Sequence, residues 1–213
     1  NKACNTSLPD PVAVAMPISD GNIAQWKTEA ELGGTYSGNR TIVSASANLG
    51  PQKITGNLLL DNNAQVTLNG TLWVQGNLTL ENGSKIQLNS GFGTNSGSII
   101  VDGNIIIGNN STFSGSGTTG SYIMVLTTSD CPLGPTCSGA NAIDVSNNAG
   151  AVVLNAQRGY IHFSNNAGAK EATAYRIVLD NNAYITYDSG LANVNFSSGP
   201  SGGWNVISWK EVE

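Results

Sequence analysis

Residues 54–88 read ITGNLLLDNNAQVTLNGTLWVQGNLTLENGSKIQL, and this stretch decides the fold. Its even-numbered positions are mostly aliphatic or small, whereas its odd-numbered positions are mostly Asn, Gln, Thr, Asp, Glu and Lys. A period of two places successive side chains on opposite faces of a β-strand, and an amphipathic helix does not produce it. One face of the chain is therefore expected to be buried along the whole stretch.

The pattern repeats, and the repeat predicts how the strands are arranged. Leu58, Leu60 and Val66 correspond to Leu78, Leu80 and Ile86, each 20 residues later. One Asn marks each copy, at steps of 20, 27, 38, 18 and 16 residues: Asn62, Asn82, Asn109, Asn147, Asn165 and Asn181. Copies this short cannot enclose a core alone, but stacked copies can. We therefore predict an all-β chain, a single-stranded parallel β-helix (β-solenoid) of about seven or eight turns, right-handed by the usual preference of parallel connections.

Each turn is predicted to hold three short strands separated by corners. In one turn these strands are residues 58–60, 66–68 and 72–74, with corners at DNNA, NG and QG. Asn and Gly tolerate the positive φ values that corners require. We expect the repeated Asn to face inward at its corner, where its amide bonds to the equivalent amide one turn away in an asparagine ladder.

The ends of a solenoid need caps, because they expose core and unpaired strand edges. The stretch PISDGNIAQWKTEAELGG predicts a helix that starts near Ser19 or Asp20, places Ile23 and Trp26 on one face, and covers the first turn. The chain is thus divided into an N-terminal segment with this capping helix (1–40), the solenoid (41–198, with a weak last turn at 194–196) and a C-terminal cap (199–213) padded by Trp204, Val206 and Trp209.

Cys131 and Cys137 bracket the sequence PLGPT, a loop that could close through a disulfide. A disulfide would indicate an oxidising compartment, and the alternative is two free thiols. Cys4 has no evident partner. Because the loop is an insertion in a regular repeat, it is also a candidate recognition site.

The sequence offers little catalytic chemistry. Its single histidine, His162, is predicted to face outward near Arg158, Tyr160 and Arg176, a patch that could bind an anionic group or be an ordinary solvated face. Asp61 and Glu81 stack on successive turns, as a Ca²⁺ site or an acid/base pair would require, but the column of acids stops there. We expect no catalytic residue, no metal and no cofactor.

The net charge and the outward-facing aromatic residues indicate which kinds of partner the chain is suited to bind. A net charge of −5, with nine basic residues that form no run, argues against nucleic acid. Trp73 and Tyr184 are predicted to face outward, where an aromatic ring can stack on a sugar or pad a subunit contact.

The repeats, with MPISDGNIAQWKTEAELGG at 16–34 and GPSGGWNVISWKEVE at 199–213, resemble secreted β-solenoid ectodomains of type IV pilin-like surface proteins from uncultivated bacteria. This resemblance implies a non-catalytic, extracellular or cell-surface module that is structural and adhesive, with a surface glycan or pilus subunits as partners. Those relatives carry an N-terminal membrane helix, so a membrane is expected as a partner only through an anchor that this sequence does not contain.

The stretch ITGNLLLDNNAQVTLNGTLWVQGNLTL at 54–80 also resembles the turns of bactofilins, which implies a self-assembling polymer as an alternative. A capping helix and a disulfide would count against that alternative. A polysaccharide lyase or hydrolase built on a β-helix is the other alternative, for which the clusters of acidic and basic residues are missing.

Overall fold

The computed structural model describes residues 18–135, 137, 139–150 and 153–187, and the backbone of 197–199 and 202–203. The predictions for Cys4, for a turn at 194–196 and for the cap residues Trp204, Val206 and Trp209 lie outside the described residues.

The described chain coils through seven turns, and successive turns lay parallel strands side by side in three columns. Column one contains β1 (Thr35–Tyr36), β4 (Gln52–Ile54), β7 (Leu72–Val74), β10 (Gly97–Val101), β13 (Ile123–Thr127) and the first halves of β15 (Val153–Phe163) and β17 (Glu171–Leu179). Column two contains β2 (Arg40–Val43), β5 (Leu58–Asp61), β8 (Leu78–Leu80), β11 (Ile105–Ile107), β14 (Ile143–Val145) and the second halves of β15 and β17. The predicted parallel β-solenoid is confirmed.

Column three contains β3 (Ser46–Leu49), β6 (Gln65–Leu68), β9 (Lys85–Leu88), β12 (Thr112–Ser114), a single bridge at Gly150, β16 (Gly168–Ala169) and β18 (Tyr184–Ile185). A 3₁₀ helix at Ser90–Phe92 and an antiparallel pair, β19 (Ser197–Gly199) with β20 (Gly202–Gly203), complete the elements. We call the bends after columns one, two and three the first, second and third corners.

The core is formed by the inward face of every turn. In column two, Leu58 pairs in register with Leu78, Leu78 with Ile105, and Ile105 with Ile143. All four side chains are fully buried, as are Leu60, Leu68, Leu72 and Leu80 elsewhere in the core. The period-two alternation therefore predicted the buried aliphatic face correctly, because each turn stacks its apolar side chains on those of the next.

One helix, α1 (Asp20–Leu32), precedes the solenoid, and its position differs from the prediction. Ser19 caps it by accepting a hydrogen bond from the backbone N–H of Asn22, and Ile23 and Trp26 are buried. They pack on outward side chains of column one: Ile100, Tyr122, Met124, Leu126 and Val153. The helix thus lies along the side of the solenoid and does not sit over the end of the first turn. The physical reason is that these strands carry apolar residues on both faces, so their outer face also needs a cover.

Charged side chains fix α1 along this side. Arg158 of the sixth turn forms an ion pair with Asp20 at the start of α1, at 2.8 Å, and Lys53 of the second turn pairs with Glu31 near its end, at 2.9 Å. Between them, the Trp73 ring has the ammonium groups of Lys27 and Lys53 over it, 5.3 and 4.3 Å from its centroid. Trp73 does face outward as expected, but it packs against the helix cluster and is partly buried.

An asparagine ladder runs along the second corner, as the repeat predicts. The Nδ2 of each Asn donates to the Oδ1 of the one in the preceding turn, at 3.0–3.2 Å, from Asn181 down through Asn165, Asn147, Asn109 and Asn82. The ladder ends differently from the prediction, because Asn82 donates to the carboxylate of Asp61 at 2.7 Å and not to Asn62. A carboxylate is the stronger acceptor.

The ladder lies on the outside of the corner, which corrects the expected inward position. Asn147 and Asn148 both have positive φ, 54° and 58°, and the same holds for the equivalent pairs of the other turns that carry this Asn, including Asn82 with Gly83, whose φ is 76°. Two successive left-handed residues turn the chain, so that the Asn side chains are largely exposed while the small residue that follows, such as Ala149, is buried.

A second ladder at the first corner was not predicted. The Oδ1 atoms of Asn39, Asn57 and Asn77 accept the backbone N–H of the Asn one turn further on, at 2.8–2.9 Å. Each of these later residues follows a glycine, and a Cβ at Gly76 or Gly103 would collide with the side-chain oxygen of the Asn in the previous turn. The repeated Gly-Asn dipeptide in the sequence was its signal.

Leu60→Ala tests the core directly. Leu60 is fully buried, so its truncation leaves a cavity and is expected to lower the free energy of unfolding by about 2–5 kcal/mol. Leu59, next to it on the outward face, is only partly buried, and Leu59→Ala is expected to cost well under half as much. Chemical denaturation of both variants measures the difference, and equal losses would contradict the assigned register.

Asn147→Ala tests the ladder, with Asn148→Ala as its matched control. Both substitutions remove an Asn from a left-handed backbone position. Only Asn147, however, donates a side-chain hydrogen bond to one ladder neighbour and accepts one from another. We expect Asn147→Ala to be less stable than Asn148→Ala by about 1 kcal/mol, because its two amide bonds are solvent-exposed and each contributes modestly. Indistinguishable unfolding midpoints would show that the ladder adds no stability.

Candidate functional site

The outward residues singled out from the sequence lie at the first corner and on the outer side of column two. Here the register between β15 and β17 shifts: Ala156 pairs with Ala174 and Tyr160 with Arg176, so 157–159 lie opposite Tyr175 alone. A bulge of this kind re-aims the side chains beside it. The irregularity therefore places Tyr175 differently from the other residues of the repeat.

Two tyrosines and an arginine meet at this bulge. The rings of Tyr160 and Tyr175 are stacked with an interplanar angle of 2° and centroids 6.1 Å apart, and the guanidinium of Arg176 lies 5.4 Å from the Tyr160 centroid. Tyr175 is 66% exposed, although tyrosine side chains usually bury much of their area. The two rings and the guanidinium are thus packed against one another at the bulge.

His162, two residues further along β15, lies between two carboxylates. Its Nδ1 is 3.3 Å from Oδ1 of Asp144 in the preceding turn, and its Nε2 is 2.9 Å from Oδ2 of Asp180 in the following turn. Both ring nitrogens can donate at once only in the imidazolium form. Asn141 donates from Nδ2 to the same Asp144 oxygen at 2.8 Å, which holds that carboxylate in place.

The cysteine loop borders the same corner. Cys131 and Cys137 form a disulfide with a Cα–Cα distance of 5.0 Å, and the carbonyl of Cys131 accepts the backbone N–H of Tyr160 at 2.9 Å. A Cβ at Gly159 would collide with Ala142 and the carbonyls of Ser129 and Cys131, so the loop packs directly on the bulge. The structure therefore brings together two features that the sequence treated separately.

Arg158 does not join the others. Its Nη2 lies 2.8–2.9 Å from both carboxylate oxygens of Asp20 at the start of α1. The remaining residues form two separate groups. Tyr160, Tyr175 and Arg176 meet at the bulge, and we call them the tyrosine patch. His162 meets Asp144 and Asp180 further along column two.

Asp144, Asp180 and Tyr175 were missed by sequence reasoning. A signal existed for Asp180, since repeat alignment puts it one turn after Ser164 and two positions beyond the row of His162. No local signal placed Tyr175, because its position depends on the bulge. Tyr184, the other outward aromatic, lies on column three and is 55% exposed, with its ring against Gly168.

Across 18–135, 137, 139–150 and 153–187, no group of three or more His, Cys, Asp or Glu side chains is arranged to hold a metal ion. Asp61, considered with Glu81 as a Ca²⁺ or acid/base pair, accepts hydrogen bonds from Asn82 and from the backbone of Asn62. In the same described part of the chain, no helix has the length and apolarity needed to cross a membrane.

The fold and site define a three-sided parallel β-solenoid with a lateral helix and a bulged, aromatic corner beside a disulfide loop. Comparison with protein-family models, curated proteins and solved structures finds no match to this chain.

Glu171, at the start of β17, gives a prediction for the effect of pH. Burial raises the pKa of its carboxyl above the ordinary value, so the folded protein holds this proton more tightly than the unfolded chain. The ionised group therefore opposes folding at neutral pH, and that penalty disappears as the pH falls below the unfolded pKa. Glu171→Gln is expected to raise Tm at about pH 7 and to have much less effect at about pH 3. Calorimetry at both pH values measures this, and a lower Tm for the variant at neutral pH would contradict it.

Proposed function

We propose that this chain is a non-catalytic, extracellular structural and adhesive module, associated with a pilus or cell surface, that binds a glycan. The observation that carries the proposal is the Cys131–Cys137 disulfide, which closes a loop inserted in an otherwise regular solenoid. Disulfides persist in oxidising surroundings, so this crosslink favours the cell exterior.

The regular scaffold supports a structural role. Seven turns at a spacing of about 4.8 Å form an extended stack, in which the aliphatic side chains are used for the core. The three corners are further tied by side-chain amides, including the bond from Asn89 Nδ2 to Asn69 Oδ1 at the third corner. Such a rod can hold a binding surface at a distance without changing shape.

The outer surface supports adhesion to a glycan. Only 11% of the residues are charged, and the exposed positions of column three are mostly neutral and polar, such as Ser46, Gln65 and Ser114. Side-chain amides and hydroxyls both donate and accept hydrogen bonds, as sugar hydroxyls do. A neutral polar surface therefore matches a carbohydrate better than a nucleic acid.

The state of the titratable groups supports a non-catalytic role. A general base needs a free lone pair close to the proton it removes. His162 has a carboxylate oxygen beside each ring nitrogen, and Arg158 is paired with Asp20. These groups are engaged within the protein, which favours positioning over proton transfer.

Binding to intact polysaccharides tests the proposal. On an array of neutral and acidic glycans, the purified protein is expected to bind at least one class, with heat-unfolded protein as the control. Incubation with the bound polymer should release no reducing or unsaturated ends. Release of such ends would favour a lyase or hydrolase, and filaments in electron micrographs of the purified chain would favour a bactofilin-like polymer.

A further inference from the structure

We propose that the first-turn end of the solenoid is closed by a polar lid, formed by Tyr36, Arg40 and Gln52, that prevents a second copy of this chain from stacking on it. The inference concerns assembly and is independent of the glycan ligand. It is carried by three inward positions that hold polar side chains here and aliphatic side chains one turn later.

In-register pairing shows which residue follows each member of the lid. The pairs are Tyr36 with Ile54, Arg40 with Leu58, and Gln52 with Leu72. The column that begins at Arg40 is aliphatic in every later described turn: Leu58, Leu78, Ile105, Ile143, Ile161 and Ile177. An aliphatic residue at the three lid positions would have extended the apolar core to the end of the stack.

The three side chains meet across the end of the core. Nη1 of Arg40, in column two, donates to Oε1 of Gln52, in column one, at 2.7 Å. The guanidinium carbon of Arg40 lies 4.9 Å from the centroid of the Tyr36 ring. One turn further in, Ile54 and Leu58 are fully buried. The lid therefore joins two sides of the solenoid over its first fully buried aliphatic residues.

The charge of Arg40 opposes stacking. A second copy that continued the columns in register would bring an aliphatic side chain against the guanidinium. Removing a charged group from water is costly unless a charged partner compensates, and the lid offers only a neutral amide and an aromatic ring. Within the described part of the chain, no carboxylate forms an ion pair with Arg40. Arg40 is partly exposed in the single chain, so its charge remains hydrated there.

The backbone of the first turn makes such a block useful. Among the described strands, β2 and β3 each pair on one side only, with β5 and β6. An unpaired strand edge can recruit another chain, and inward-pointing charged residues are one means by which natural sheets prevent this. Because α1 lies along the side of the solenoid, the lid takes the role at this end that the sequence suggested for the helix.

Arg40→Leu tests the lid, with Arg40→Lys as its matched control. Leucine supplies the residue type of the next turn, whereas lysine keeps the charge. In analytical ultracentrifugation we expect the wild type and Arg40→Lys to be monomeric, and Arg40→Leu to self-associate with at least about tenfold higher affinity, because no charge is buried on stacking. Gln65→Leu, which adds an apolar side chain at an exposed position of column three, should stay monomeric.

Circular dichroism and thermal unfolding establish that each variant folds. If Arg40→Leu does not fold, Arg40→Met takes its place, since methionine is also uncharged and is closer to arginine in length. A folded Arg40→Leu or Arg40→Met that remains monomeric would overturn the proposal, and so would wild-type protein that associates as strongly as the uncharged variant. Neither result affects the glycan proposal, which the array tests separately.

Discussion

The whole structure depends on parallel pairing of equivalent positions in successive turns. Leu58, Leu78, Ile105, Ile143 and Ile161 follow one another in register through column two, so each buried side chain packs on its own counterpart above and below. Stability of this kind is a sum of neighbouring contacts and does not need a core enclosed by distant elements.

Pairing between equivalent strands also explains why the repeats differ in length. The steps of 27 and 38 residues contain corner loops, including the 3₁₀ helix and the cysteine loop, and neither loop disturbs the strands that flank it.

The corners solve a separate problem, because each bend interrupts strand pairing and leaves polar groups to be satisfied. Two different asparagine arrangements meet this need. At the second corner, left-handed Asn residues turn the chain and their side-chain amides bond to one another; at the first, an Asn oxygen accepts a backbone N–H from the next turn, and a glycine provides the space. The SNNAGA sequence is therefore repeated at 146–151 and 164–169 because the second corner of each of these turns needs left-handed Asn residues whose side-chain amides can pair between turns. The small residues that follow, Ala149 and Ala167, are buried and keep the bend narrow.

The features that could be predicted from the sequence are those that repeat. Alternation assigned Leu60 and Leu80 to the core, and repeat alignment identified the ladder, because both depend on local conformation and a constant register. The placement of α1 could not be predicted in this way, since the sequence of a helix does not specify which surface the helix covers.

The strand sequences did indicate that surface. SIIV at 98–101 and IMVL at 123–126 are continuous apolar runs, which are typical of strands buried on both faces, and their outward residues pack against α1. The position of Tyr175 depends on a bulge that no residue pattern predicts. The position of the Asp180 carboxylate could have been predicted from the alignment of its turn with the preceding one.

A regular solenoid makes its outer surface as repetitive as its core, so a specific site requires a break in the repeat. Two breaks coincide at the first corner of the last three described turns, the bulge at 157–159 and the disulfide loop, and the single histidine between two aspartates follows along column two. The bulge has a cost for a purely structural rod, since an extra stretch of strand interrupts a ladder. The contacts of Tyr160 with Cys131 and with Tyr175 show that the bulge and the loop form one organised region. The uniform turns supply the rigid support, and the irregular corner supplies the chemical variety from which recognition can be built.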